Sequence, residues 1–555
     1  GDRESTTPGT SGDDNVFLGW NAGRCGTSGN NNVFLGCEAG QCATGDHSII
    51  IGHRAGSGAT GVDYGIFLGK GSGCLMTGTD NIAIGRCTLR GNTSTTPTGS
   101  ENIALGIYAL QNLCSGKMNI GMGYRPMCDI TTGCYNIAFG VSAGKEITTG
   151  NHNVLIGYEA GLSINDDQMN IHIGSMAGYY NNGGCNISMG CAALMGSTTD
   201  TNNTGGCNVA IGNRAAACGW TSGQDNVFLG SYAGKCISSG SANVVLGPYA
   251  GNGITTGNCN IILGQEAGKS TTGTGTNNII MGCKAQQCFT SGSKNVSLGP
   301  TAGNTLTTGC CNVLIGVNAG YSLDETLNNI MIGSCAGYAT VAGSSPACQG
   351  DANIYIGNEA AKSATTAFEN IVIGDRAVSS GTFTGYRNVV MGWEAGCKMT
   401  IGCYNAFYGL SVAADAAVDG RNNSGFGPFA GFRLHTGDYN TFLGSQAGFG
   451  HGTSGGTGHY NLAAGASSLK CWTSAEANVA LGLEAGCSTD SGSNNVFIGR
   501  CAGNTNTSGD KNVAIGCDVE LASATGDCQF MIGMGSSKWI CGDSSFNIYD
   551  KDGNQ

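Results

Sequence analysis

One phrase recurs along the whole chain, and its spacing limits the fold more than any other feature. DNVFLGWNAG, NNVFLGCEAG and HSIIIGHRAG stand near the start, NNVFIGRCAG and KNVAIGCDVE near the end. Thirty copies run from an anchor glycine at Gly19 to one at Gly533; of the twenty-nine intervals, eighteen are 17 residues and seven are 16 or 18. The other four are 21, 22, 24 and 21. A short fixed period is the signature of a solenoid in which each repeat supplies one turn. The expected organisation is a lead-in over residues 1–11, a repeat array over 12–533 and a non-repeating junction over 534–555.

With the anchor glycine as zero, each column reads as a physical requirement. Position −4 is Asn in twenty-seven copies, among them Asn15, Asn32, Asn81, Asn102, Asn136, Asn153, Asn226, Asn260, Asn312, Asn388, Asn440 and Asn495. Positions −3 and −1 are mostly Val, Ile, Leu or Met, a period of two that marks a strand. Position +3 is Ala in twenty-three copies and −7 is Gly in twenty-five, which places turns at two corners because glycine visits positive φ freely. Seventeen residues are too few for a helix, a strand and two connections. The expected fold is therefore all-β: a parallel β-solenoid, or β-roll, of about thirty coils with a period near 17 residues, each coil a flattened pair of short strands. Stacked coils lie about 4.8 Å apart, so the Asn column becomes an amide ladder and thirty coils make a rod of roughly 140 Å.

Position −2 is apolar in twenty-five copies, including Phe17, Phe34, Ile50, Phe67, Leu155, Phe228, Ile262, Leu314, Val372, Phe442 and Phe497. Reading −3 and −1 as interior puts −2 on the outer face, as an apolar stripe too large for a soluble monomer. Those residues are then the expected contact between identical chains; the competing explanation is a thicker coil in which −2 points inward and shares the interior with −3 and −1.

The phrase Asn-Φ-x-Φ-Gly-x-x-Ala resembles the head repeat of trimeric autotransporter adhesins, over nearly the whole chain from about Gly12 to Gly533. The resemblance implies a left-handed roll and a homotrimer. The period here is longer than that family's, and the TTG and TSG returns with frequent cysteine are similar to repeat regions of marine phage tail-fibre proteins. The closing stretch from Ala514 to Asp550 resembles the junction at which such arrays pass to the next fibre segment.

Composition narrows the partners. The 555 residues carry a net charge of −12 with no Lys/Arg cluster, so nucleic acid is not an expected partner. No apolar run reaches the length of a membrane span, and the opening GDRESTTPGT lacks the blocks of a signal peptide. The 28 cysteines follow the coil. Cys25 and Cys42 share position +6, as do Cys218 and Cys236; Cys185 and Cys207 share −5, and Cys471 and Cys487 lie at +6 and +5. Register brings each pair within the Cα separation a disulfide needs, and small filler at corners is the competing explanation.

Catalytic signatures are absent: the seven histidines form no HExxH, and no GxSxG or GxxxxGK[ST] occurs. No enzyme activity, metal or cofactor is expected. The terminal Asp550-Lys551-Asp552-Gly553-Asn554 opens like a calcium loop but lacks the closing Glu, so a turn is expected. The four long intervals fall around residues 90–100, 195–204, 339–349 and 450–457, all at one edge; tolerated drift in a loop is the expected explanation, and a binding surface, which solenoids place at such an edge, is the alternative. The resulting expectation is a structural fibre or adhesin shaft on a virion or cell surface, binding a receptor or glycan. An ice- or mineral-binding solenoid, suggested by the stacked threonines, is one alternative; a polysaccharide-degrading tailspike, which needs clustered carboxylates, is another.

Overall fold

A computed structural model describes residues 12–25, 28–91, 97–196, 204–217, 222–270, 272–341, 350–452, 455–542, 545 and 547–554. They fall into two units, Gly1–Thr276 and Asn277–Gln555. Both are parallel β-solenoids with a period near 17 residues, and among the described residues there is no helix.

The first unit holds fifteen three-residue strands, from β1 (Val16–Leu18) to β15 (Ile261–Leu263). Equivalent residues pair in parallel from coil to coil, as Val16 with Val33 and Val244 with Ile261. The longer intervals do not disturb this: Ile82 still pairs with Ile103 and Ile187 with Val209. Register is kept because slipping by one would turn the whole strand inside out.

The second unit repeats the plan from β16 (Ile279–Met281) to β29 (Val513–Ile515), keeping register across the longest interval, where Ile330 pairs with Ile354. It ends differently. β30 (Phe530–Met534) pairs in parallel with β29 and antiparallel with β31 (Ser537–Gly542), which pairs with β32 (Ile548–Asp550). Gly533, counted as the thirtieth anchor, lies within β30 at a bulge and makes no corner, so the corners number twenty-nine.

The other twenty-nine anchor glycines have φ between 124° and 145°. A Cβ on Gly157 would stand 2.4 Å from the carbonyl oxygen of Gly174, the anchor one coil on. Shape and space therefore both demand glycine.

A second strand through the Ala-Gly segment was expected, but that side of each coil is a turn. Non-glycine residues at +2 and −5, such as Glu38 at φ 55° and Asn31 at φ 61°, sit in the left-handed region and interrupt extension. Their N–H groups nonetheless point along the stack: Glu38 donates to the Trp20 carbonyl at 2.7 Å and Asn31 to that of Asp13 at 2.9 Å. Inter-coil bonding of this kind offsets the local strain.

The interior is narrow, with one apolar cluster running from Phe34 to Ile164 in the first unit and another from Ala302 to Met531 in the second. Position −2 packs against the Ala column at +3 and an aliphatic column at −10, as with Leu155, Ala160 and Ile147. In the second unit the −10 column includes Trp472, wholly buried, whose Nε1 donates to the Gly448 carbonyl at 2.7 Å.

Candidate functional site

The Asn column fixes which side of the strand faces inward. Asn32 N–H donates to Asn15 Oδ1 at 2.9 Å, while Asn32 Nδ2 donates to the carbonyl of Gly45, the −7 glycine of the next coil, also at 2.9 Å. The same pattern holds at Asn102, Asn136, Asn226, Asn260, Asn388, Asn440 and Asn495; at Asn153 and Asn312 the −7 carbonyl that accepts the amide belongs to Asp167 and Thr326, and Asn81, which follows Gly65 in the column, donates to the Gly99 carbonyl and accepts the Asn102 N–H. The ladder is thus mixed: each side chain bridges backbone groups of its neighbours, across the coil interior. A Cβ on Gly29 would lie 2.0 Å from the Gly45 carbonyl, which is why −7 stays glycine. Where Ser48 replaces Asn, its hydroxyl donates to the Val62 carbonyl and accepts the Gly65 N–H.

This arrangement overturns the expected interface. Side chains alternate along a strand, so −2 faces the same way as −4. Phe34, Ile50, Phe67, Leu155, Phe228, Ile262, Leu314, Val372, Phe442 and Phe497 are at most 2% exposed within a single chain, and Phe17 is part-buried against the same core. No second chain can reach them. The outward columns are −3 and −1, with Ile49, Ile51, Leu229, Val244, Ile261, Ile279, Met281, Leu443 and Ile498 between 36% and 40% exposed. An apolar outer face exists after all, one residue away from where it was sought.

The cysteines also depart from expectation. Cys25, Cys42, Cys185, Cys207, Cys236, Cys471 and Cys487 are all free thiols; Cys218 lies outside the described residues. Stacked partners share one backbone conformation, φ 68° and 59° for Cys25 and Cys42, 61° and 58° for Cys185 and Cys207. Their Cα–Cβ bonds are therefore parallel, which holds the Cβ atoms about 4.8 Å apart, wider than the roughly 3.8 Å typical of a disulfide. The filler explanation fits no better, since only Cys128 and Cys403 are buried among the described cysteines.

The remaining polar groups mostly serve the stack. Thr131 Oγ1 donates to the Thr148 carbonyl at 3.0 Å and Thr148 Oγ1 to that of Asn165 at 3.3 Å, so these return-loop hydroxyls are engaged by the next coil. A further column, missed from the sequence because its chemistry varies, lies at −6. Asp46 accepts the Asn30 N–H at 2.7 Å and Asp63 accepts that of Asp46 at 2.7 Å; Asn151 and Asp438 act likewise. The unifying property is a side-chain acceptor, which identity counts do not detect.

Charges concentrate at the +2 corner. Arg376 lies 3.2 Å from Glu394 and 4.0 Å from Glu359, which also holds Lys362 at 2.8 Å; with Ser363 and Ser380 they line a groove of about 440 Å³. These exposed pairs are weak stabilisers. The terminal Asp550 spends its carboxylate locally, accepting N–H groups of Asp552 at 2.9 Å and Asn554 at 2.8 Å, and its side-chain amide bond to Asn554 is the leading reason its pKa is depressed. Among the described residues no group of three or more His, Cys, Asp and Glu is arranged to hold a metal ion. Nor, among them, is any helix long and apolar enough to cross a membrane. Of the four insertions, those at 195–204 and 339–349 lie mostly outside the described residues, as do residues 92–96 of the first; the fourth lacks only 453 and 454 and is tied to the preceding coil, Gly456 N–H donating to the Arg433 carbonyl at 2.6 Å and His435 N–H to that of Gly456 at 2.9 Å.

His172 is the exception within the core. It occupies −2, wholly buried, with Nδ1 2.7 Å from Ser188 Oγ and Nε2 without a protein partner. Burial pulls its pKa down to about 4. Nearby, burial and then the adjacent Asp166 push Asp167 up to about 6.

No protein-family model matches the chain, and no curated protein matches it.

Proposed function

We propose that the chain is a structural fibre or adhesin shaft, displayed on a virion or cell surface, whose copies assemble side by side through the outward −3 and −1 columns. The observation that carries this is the continuous apolar outer face of each unit. A fully buried aliphatic side chain removes on the order of 100 Å² from water, so one left nearly 40% exposed offers on the order of 40 Å². Eleven of the thirty −3 and −1 residues of the first unit are exposed and the others half-buried, so this face presents several hundred Å² and at most about 1,000 Å², the range of the ~800 Å² per partner of a stable interface. The same face repeats at every coil, so parallel copies associate in register, and the adhesin-like phrase favours three of them. A receptor or glycan is the partner that such a shaft meets.

Sedimentation and native mass measurement test the assembly. The expected species is three times 56.0 kDa. Val244→Lys with Ile261→Lys, which charges the outer face without touching the interior, is expected to shift it toward the single chain. A wild-type protein that is monomeric at micromolar concentration removes the proposal.

A further inference from the structure

Two thiol pairs in the first unit form a different kind of site. Cys25 and Cys42 stack at one corner and Cys185 and Cys207 at another; all four are exposed and free. Their backbones are tied along the stack, Cys42 N–H donating to the Arg24 carbonyl at 2.7 Å and Cys207 N–H to that of Gly184 at 3.0 Å. The shared backbone conformation, which sets the Cβ atoms of each pair one coil apart, opposes a direct sulfur–sulfur bond but suits a bridging atom. A thiolate lies about 2.3 Å from a first-row d10 metal ion, so a linear S–metal–S unit spans about 4.6 Å. That is close to the 4.7–4.9 Å step between neighbouring strands.

We propose that Cys25 with Cys42, and Cys185 with Cys207, are two-coordinate sites for a soft monovalent d10 cation of the copper(I) class, one ion between the two sulfurs of each pair. Thiolates select such ions over harder ones. On binding, both thiols release their protons, each sulfur donates one electron pair, and the bridged unit carries a single negative charge; no electron is transferred. The surroundings fit. Arg24, adjacent to Cys25 in sequence and with its carbonyl accepting the Cys42 N–H, brings a positive charge to the first pair.

The test uses the full, reduced chain titrated with copper(I) against a chromophoric copper(I) chelator, counting the equivalents retained. Cys185→Ser is expected to retain one equivalent fewer than wild type, and Cys185→Ser with Cys207→Ser also one fewer, since either loss opens the site. Cys191→Ser, at a corner where the adjacent coils carry Ser175 and Asn213, is expected to lose none. X-ray absorption of a chain whose other cysteines are replaced, leaving Cys185 and Cys207, is expected to report two sulfur neighbours per copper. Equal retention by wild type and Cys185→Ser, a loss of two equivalents in the double variant, or three or more sulfur neighbours would each overturn the proposal.

Discussion

The backbone N–H of Asn153 and its own side-chain amide both donate to Oδ1 of Asn136, each at 3.0 Å. One oxygen thereby fastens two donors of the coil above it, while Asn136 Nδ2 reaches the Gly150 carbonyl at 2.8 Å. Asn136→Leu strands these groups in a water-free interior, costing about 2–5 kcal/mol locally at ~1–3 kcal/mol per unsatisfied group. Hydrogen exchange at the Asn153 amide is expected to accelerate at least tenfold. Asn136→Ser is expected to be milder, since Ser48 fills the same position naturally. Equal effects would show that the side-chain bonds carry little of the stability.

The twenty-nine anchor glycines supply the second prediction. Gly157→Ala adds a Cβ 2.4 Å from the Gly174 carbonyl at a φ of 139°. Backbone strain alone costs about 1–3 kcal/mol, and the clash adds to it. Limited proteolysis is expected to cut the variant between residues 157 and 174, where wild type resists. Gly184→Ala is the control: its nearest obstacle is the Gln168 carbonyl at 3.2 Å and its φ is not positive. Similar cleavage of both variants would refute the corner argument.

What the sequence made legible, and what it concealed, divides along one physical line. Period, strand position, anchor glycine and Asn column each rest on a requirement repeated at every coil, so they stand out by recurrence. Inside and outside did not, because −3, −2 and −1 are all apolar and hydrophobicity alone cannot orient such a strand. The orienting residue was Asn at −4: an amide that must reach the returning −7 glycine has to face inward, and −2 shares its parity. Similarly, seeing Cys25 above Cys42 gave proximity, but whether the sulfurs converge depends on the shared left-handed φ, which residue identity at a non-glycine position does not announce.

Strand parity gives a third prediction. Phe228→Ala empties an interior site that is 1% exposed and is expected to cost about 3–5 kcal/mol. Val227→Lys, on the adjacent outward position, is expected to change the stability of the isolated chain by no more than about 0.5 kcal/mol. The comparison requires dilute protein, so that association does not contribute, and is read from exchange rates in β13 (Val227–Leu229). A larger effect from the lysine than from the alanine would restore the opposite orientation.

His172 makes one stretch of the first unit sensitive to acid. Its pKa is about 4 when folded, depressed from 6.5 by burial, so the unfolded chain takes up a proton between those values and the folded chain does not. The stabilisation is complete above pH 6.5, declines as pH falls and is gone below pH 4, a loss of about 3 kcal/mol at 1.36 kcal/mol per pKa unit. Asp167 acts in the opposite sense. Its pKa, raised from 3.8 to about 6, means that its buried carboxylate destabilises above pH 6 and that this penalty fades on acidification. Asp167→Asn therefore isolates the histidine. In that background, exchange at the Ile173 and Gly174 amides is expected to quicken steadily from pH 6.5 to 4, after correction for intrinsic rates, while additional His172→Leu flattens the profile. Leucine occupies −2 at Leu155 and Leu314, so the replacement suits the core in size, and the hydrogen bond it removes from the buried Ser188 hydroxyl costs the same at every pH. An unchanged pH profile after removing the imidazole would assign the acid sensitivity elsewhere.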